Sequence, residues 1–144
     1  MATLTVTLKE AIKLKNNDQG STITKTISGI NEVDRRLITV LHTTNGTQLY
    51  KGAAAAGAGT FISGNVKYIR ITNLDSTNEV ALHLEGSSHY AQFLLGPGKT
   101  YILGQTNGFD NATDIDSTSG NTITLIEGKA ASASCVCEVF IASA

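Results

Sequence analysis

The chain has 144 residues, 41% hydrophobic and only 16% charged, with a formal net charge of −1. An ordinary soluble domain carries about 25% charged residues, so this surface is either built from Thr, Ser and Asn or turned toward partners. Lys and Arg are scattered, with no run longer than Arg35-Arg36, which excludes the basic stripe that nucleic-acid binding needs.

The length suits one domain that folds without metal or disulfide. No stretch approaches the roughly 20 apolar residues of a membrane-spanning helix. The opening "MATLTVTLKE" alternates polar and apolar residues and lacks a signal peptide's apolar core. A protein made and kept in a cytoplasm, or released by lysis, is expected.

Period-2 alternation runs along the chain. Leu4, Val6, Leu8, Ile12 and Leu14 share one parity, with Thr3, Thr5 and Thr7 opposite. Glu10 breaks the pattern and predicts a bulge or bend. Asn16-Asn17-Asp18-Gln19-Gly20 reads as a turn. Ile23 and Ile27 then alternate with Thr22, Thr24 and Thr26. Leu37 to Leu41, "LITVL", is apolar on both faces and predicts a central strand. Asn45-Gly46 is a hairpin signal, with Thr47 to Tyr50 as its return strand. "KGAAAAGAGTF" is a loop or at most one helical turn, because Gly52, Gly57 and Gly59 leave too little room for a stable helix.

Val66 to Thr72 is rich in β-branched residues and predicts a strand, followed by a turn over Asn73 to Asn78. Val80, Leu82 and Leu84 alternate cleanly with Ala81, His83 and Glu85. Gly86-Ser87-Ser88 turns the chain into His89 to Leu95. Gly96-Pro97-Gly98 then forms a hairpin corner before Thr100 to Leu103, since proline presets φ and glycine permits positive φ. A long polar loop, "GQTNGFDNATDIDSTSGN", precedes strands at Thr122 to Ile126 and Ser134 to Ile141. Roughly nine or ten short strands with turn punctuation and no convincing helix predict an all-β fold. An antiparallel β-sandwich, jelly-roll-like, in one domain over residues 1–144 is expected.

The candidate chemistry is thin. Gly98-Lys99-Thr100 resembles the end of a phosphate-binding loop, but Phe93 stands where the first glycine belongs and a strand follows instead of a helix. His83 and Glu85 point the same way on a strand, and His89 across the turn would complete a metal site. A solvated strand face explains them better. Asp114-Ile115-Asp116 opens like a calcium loop with Asp110 nearby, yet Ser119 and Leu125 occupy the required glycine and glutamate positions.

Cys135 and Cys137 are spaced for one strand face, a poor disulfide geometry, and read as small buried hydrophobes. Ser88-His89 are strand neighbours facing opposite sides, and no nucleophile elbow is present. Asn45-Gly46-Thr47 and Asn111-Ala112-Thr113 match the glycosylation acceptor pattern, which carries little weight without a secretory signal. Four Phe, four Tyr and no Trp disfavour an aromatic sugar cleft. No catalytic residue, cofactor or metal ligand is expected, and the chain reads as a non-enzyme.

One segment is distinctive. "YIRITNLDSTN", Tyr68 to Asn78, leads into the strand Val80 to Leu84, then Phe93-Leu94-Leu95 and Gly96-Pro97-Gly98. With the upstream "TITKTISGINEVDRRLITV", the region from Thr22 to Leu103 resembles small β-sandwich virion proteins of marine and cyanobacterial tailed bacteriophages. The resemblance implies a structural virion protein, foremost a capsid decoration (cement) protein, assembled in the host cytoplasm. The implied partners are the major capsid protein or other virion proteins and further copies of the chain, without nucleic acid or membrane. A head–tail or tail accessory protein and a glycan-binding module for host attachment are the alternatives. The alternating strand Thr3 to Leu8 is expected to add to a neighbour's sheet edge.

Overall fold

A computed structural model of the chain describes residues 1–43, 45–86, 90–104, 110–111 and 121–144. The first thirty residues form a hairpin arm, built from β1 (Ala2–Glu10), β2 (Lys13–Leu14), β3 (Asn17–Asp18) and β4 (Ser21–Ile30). The body follows with β5 (Glu32–Val40), β6 (Thr47–Ala53), β7 (Phe61–Ile62), β8 (Val66–Asn73), β9 (Val80–Gly86) and β10 (Tyr90–Leu95). It ends with β11 (Thr100–Gly104), β12 (Asp110–Asn111), β13 (Asn121–Ala130) and β14 (Cys135–Ser143). Among the described residues the helical content is one short 3-10 turn at Ser63–Asn65.

The pairing of the body strands is nested. β5 pairs with β14, β6 with β13, β8 with β11, and β9 with β10, all antiparallel. That is the pattern of one long hairpin rolled up on itself. Rolling gives two packed sheets, in the orders β5-β14-β8-β11 and β6-β13-β9-β10, with the short β7 extending the second in parallel to β6. This strand order is a jelly roll, and the expected all-β sandwich is the observed fold.

The core lies between the inner faces. Ile69, Ile71, Val139 and Ile141 come from the first sheet, and Leu49, Val80, Leu82, Leu84, Ile123 and Ile126 from the second. Each is at most 1% exposed, and each contributes about 1.5–3 kcal/mol by leaving water. Alternation explains why β9 is legible: Val80, Leu82 and Leu84 enter the core, while Ala81, His83 and Glu85 do not. At the edge strand β5, the guanidinium of Arg36 reaches across the gap and donates to the Leu49 carbonyl at 3.2 Å. Its Nε lies 2.8 Å from Asp34 Oδ2. That pair lies at the sandwich edge where, among the described residues, no further strand extends the sheet.

Several expectations are corrected. Leu37 to Leu41 is not a central strand, because β5 lies at the edge of its sheet and Leu37 faces solvent. Asn45-Gly46 does not make a hairpin: β5 and β6 belong to different sheets. Gly96-Pro97-Gly98 likewise joins β10 of one sheet to β11 of the other. Its turn chemistry is as expected, with Lys99 N–H donating to the Gly96 carbonyl at 3.1 Å and Gly98 at φ +65°. At Glu10, where a bulge or bend is expected, β1 ends but the register carries through to β2; the register shift of the β1–β4 pair falls between Ala2 and Thr3. The turn expected over Asn16 to Gly20 narrows to Lys15-Asn16, both at positive φ, and Asn17–Asp18 already pairs as a strand.

Candidate assembly surface

Thr3 to Glu10 pair with Ser28 to Ser21 in one register, and that register continues to the tip pairs Lys13↔Asp18 and Leu14↔Asn17. Gln19 N–H donates to the Ile12 carbonyl at 2.9 Å across the short gap between the labelled strands. The N-terminal strand is therefore paired within its own chain, with β4, rather than waiting unpaired for a neighbour. The two-residue turn at Lys15-Asn16 suits such a ribbon, because positive φ at both central residues matches the strand twist.

Among the described residues, only the base of this arm rests on the body. Ile27, Ile30, Leu4 and Val6 pack with Tyr68, Phe140 and Ala142 on the outer face of the β5-β14-β8-β11 sheet. Tyr68 and Phe140 meet edge to face at 6.0 Å between centroids, and the Arg70 guanidinium lies 5.8 Å from the Phe140 ring centre. An open groove of about 310 Å³ runs beside the arm, lined by Val6, Tyr68, Arg70, Ile102 and Phe140 among others. Next to this seat, Glu138 takes two guanidiniums. Arg35 Nε donates to Oε2 at 2.8 Å, and Arg70 Nη2 donates to Oε1. The Arg35 hydrogen bond, with the charges of Arg35 and Arg70, holds the Glu138 carboxyl below its ordinary value.

The "NLDSTN" motif resolves as a joint between the two sheets. Asn73, fully buried at the end of β8, donates through Nδ2 to the carbonyls of Asn78, Leu95 and Gly96 at 2.8, 3.2 and 3.2 Å. Its Oδ1 accepts the Asp75 amide at 3.0 Å. Asp75 Oδ1 in turn accepts the amides of Asn78 and Thr77 at 2.7 and 2.8 Å, which lowers its carboxyl value. These are short polar side chains satisfying turn backbone, and they clamp the end of β10 to the end of β8.

The candidates for chemistry do not converge. Gly98-Lys99-Thr100 runs into β11, and the Gly98 amide is already spent on the Asp75 carbonyl at 3.1 Å. His83 Nε2 lies 4.0 Å from Glu85 Oε2 on the outer face of β9. His89, the third member of that set, lies outside the described residues, as do Ser88, Asp114 and Asp116; Asp110 is described only as backbone in β12. Among the described residues no cluster of three His, Cys, Asp or Glu could hold a metal. Cys135 and Cys137 are free and buried in the core. Burial pushes the Cys137 thiol up to about 12. Sequence reasoning missed the arm's seat on Tyr68 and Phe140 and the two arginines on Glu138, because both join segments far apart in the chain.

A scan against protein-family models, a search of curated proteins and a search of solved structures each find no match for this chain.

Proposed function

We propose that the chain is a structural protein of a tailed-bacteriophage virion, a capsid decoration protein that works by protein–protein contact. The observation that carries this reading is the arm. A rigid sandwich that extends an amphipathic ribbon beyond its own core is built to join bodies, not to enclose a substrate. Three further features support it. The segment from Thr22 to Leu103 resembles virion proteins of this kind. Jelly rolls are frequent in viral shells, although the fold alone does not give a function. The low charge suits a surface largely occupied by partners.

The test is binding of purified protein to capsids of a candidate phage, followed by sedimentation of the particles. The full chain co-sediments at saturable stoichiometry. A variant in which a two-residue turn replaces Thr7 to Thr24 keeps its fold and loses the particles. A full chain that ignores capsids but binds isolated necks or tails moves the role to the head–tail junction. Binding to neither, with binding on a glycan array, replaces the structural role with host attachment.

A further inference from the structure

The amphipathic character of the arm continues past its contact with its own body. The register places Leu4, Val6, Leu8, Ile12 and Leu14 on one ribbon face together with Ile23 and Ile27. The opposite face carries Thr3, Thr5, Thr7, Thr22, Thr24 and Thr26. The basal part of the apolar face is seated on Tyr68, Phe140 and Ala142. The distal part is not: Leu8, Ile12, Leu14 and Ile23 are between 54% and 61% exposed. A two-stranded ribbon has no core of its own. Aligned large apolar side chains on such a ribbon mark a surface made to be covered.

The sheet that seats the arm also leaves a matching strip open. On the outer face of β5, Val33 and Leu37 are 55% and 67% exposed, and the Arg35 side chain between them is 69% exposed. This strip continues the seat directly, since Ala142 pairs with Val33 and Phe140 with Arg35. The chain's own β1 borders the open groove lined by Tyr68, Arg70 and Ile102, on the β8 and β11 side, while β5 is the opposite edge of that sheet.

The two strips share one pattern. The arm carries Leu8-x-Glu10-x-Ile12 and β5 carries Val33-x-Arg35-x-Leu37. Both advance roughly 6.7 Å per two residues, so apolar meets apolar where acid meets guanidinium, in either strand direction. The charges also match. In the isolated copy Arg35 and Arg70 share the single carboxylate of Glu138, and Glu10 would bring the second. From Thr7 to the tip the arm reaches roughly 26 Å, enough to cross such a face.

We propose that the distal arm of one copy lies on the outer face of β5 of a second copy of this chain. Leu8 and Ile12 pack on Val33 and Leu37, and Glu10 pairs with Arg35. The contact continues the interface that the arm base already makes within its own chain. It goes beyond the capsid role, and either can fail without the other.

The test is light scattering on the purified full chain across a dilution series. The arm variant is Ile12→Glu with Leu14→Glu; the face variant is Leu37→Glu, or Leu37→Ser if the first does not fold. Circular dichroism checks that each keeps the β-sheet spectrum. The unmodified chain forms a defined multiple of the 15.1 kDa monomer, and each variant alone falls to the monomer mass. Mixing the two restores a species of twice that mass, because one intact arm meets one intact face. Glu10→Arg raises the dissociation constant by about tenfold or more. A full chain that is monomeric at every concentration overturns the proposal, even if its arm still binds capsids, as does an oligomer that either folded variant retains. Intact self-association with no capsid binding leaves this contact standing and removes the capsid decoration role.

Discussion

Arg35 and Glu138 lie diagonally across β5 and β14, 103 residues apart in the chain, with Arg35 Nε donating to Glu138 Oε2 at 2.8 Å. Arg70 holds the other carboxylate oxygen, so one acid ties three strands of the sheet together on the face that seats the arm.

That arrangement sets a pH dependence. The folded-state value of Glu138 lies below the ordinary 4.5, so ionisation favours the folded chain. The contribution is complete above the ordinary carboxyl range and is lost as pH falls below that range, through the lowered value. Glu138→Gln therefore lowers the thermal midpoint at neutral pH, and the gap to the unmodified chain closes in acid. Thermal melts from neutral pH into acid check this; a gap that stays constant across the series would falsify the role of the charge.

Asn73→Ala should be among the most damaging single changes in the body. It leaves the carbonyls of Asn78, Leu95 and Gly96 without the Nδ2 donor and the Asp75 amide without its acceptor. Unsatisfied buried groups cost about 1–3 kcal/mol each, so a loss of roughly 3 kcal/mol is expected. Asn73→Asp gives a similar loss, because the carboxylate cannot donate to the three carbonyls. Urea unfolding measures both; a change below about 1 kcal/mol would remove the joint from the account.

Gly52 in β6 has no room for a side chain. A Cβ there would stand 2.5 Å from both Tyr50 Oη and Ser63 Oγ, and 3.2 Å from Tyr50 Cζ. Tyr50 is fully buried and stacked on Phe61 at 5.9 Å, so its ring cannot step aside freely. Gly52→Ala is expected to cost about 1–3 kcal/mol by overpacking. Gly64→Ala is the control, since a Cβ at that position meets nothing within 4 Å. Equal midpoints for the two variants would contradict the geometry.

The cysteine pair gives a chemical probe of the core. Burial raises both thiols, that of Cys137 to about 12. The thiolate is the reactive form, so at neutral pH neither cysteine should be alkylated in the folded chain, and both should react once denaturant is added. Mass spectrometry after iodoacetamide counts the labels. Rapid labelling of the folded chain would show that β14 opens locally.

Much of the local structure is legible in the sequence. Val80, Leu82 and Leu84 mark a strand with one buried face because a pleated strand repeats every two residues. Asn73, Asp75 and Asn78 mark a turn because short polar side chains bond nearby backbone, and Pro97 with Gly98 marks another. The misread elements have a common cause. "LITVL" is apolar on both faces at a sheet edge, where its outer side, at Leu37, is exposed rather than part of the core. Asn45-Gly46 and Gly96-Pro97-Gly98 reverse the chain as their chemistry requires, yet neither can state which sheet the next strand joins.

The sequence by itself determined the strand repeat, the turns, the amphipathic alternation of the N-terminal strands and the poverty of chemical motifs, since each depends on residues within a few positions of one another. Tertiary structure alone decided that β5 pairs with β14 and that the ribbon folds into an arm seated on Tyr68 and Phe140. It also set Arg35 and Arg70 on Glu138 and left Val33 and Leu37 open beside them. Those relationships join segments up to about a hundred residues apart, and a two-residue repeat is the same whichever partner a strand finds.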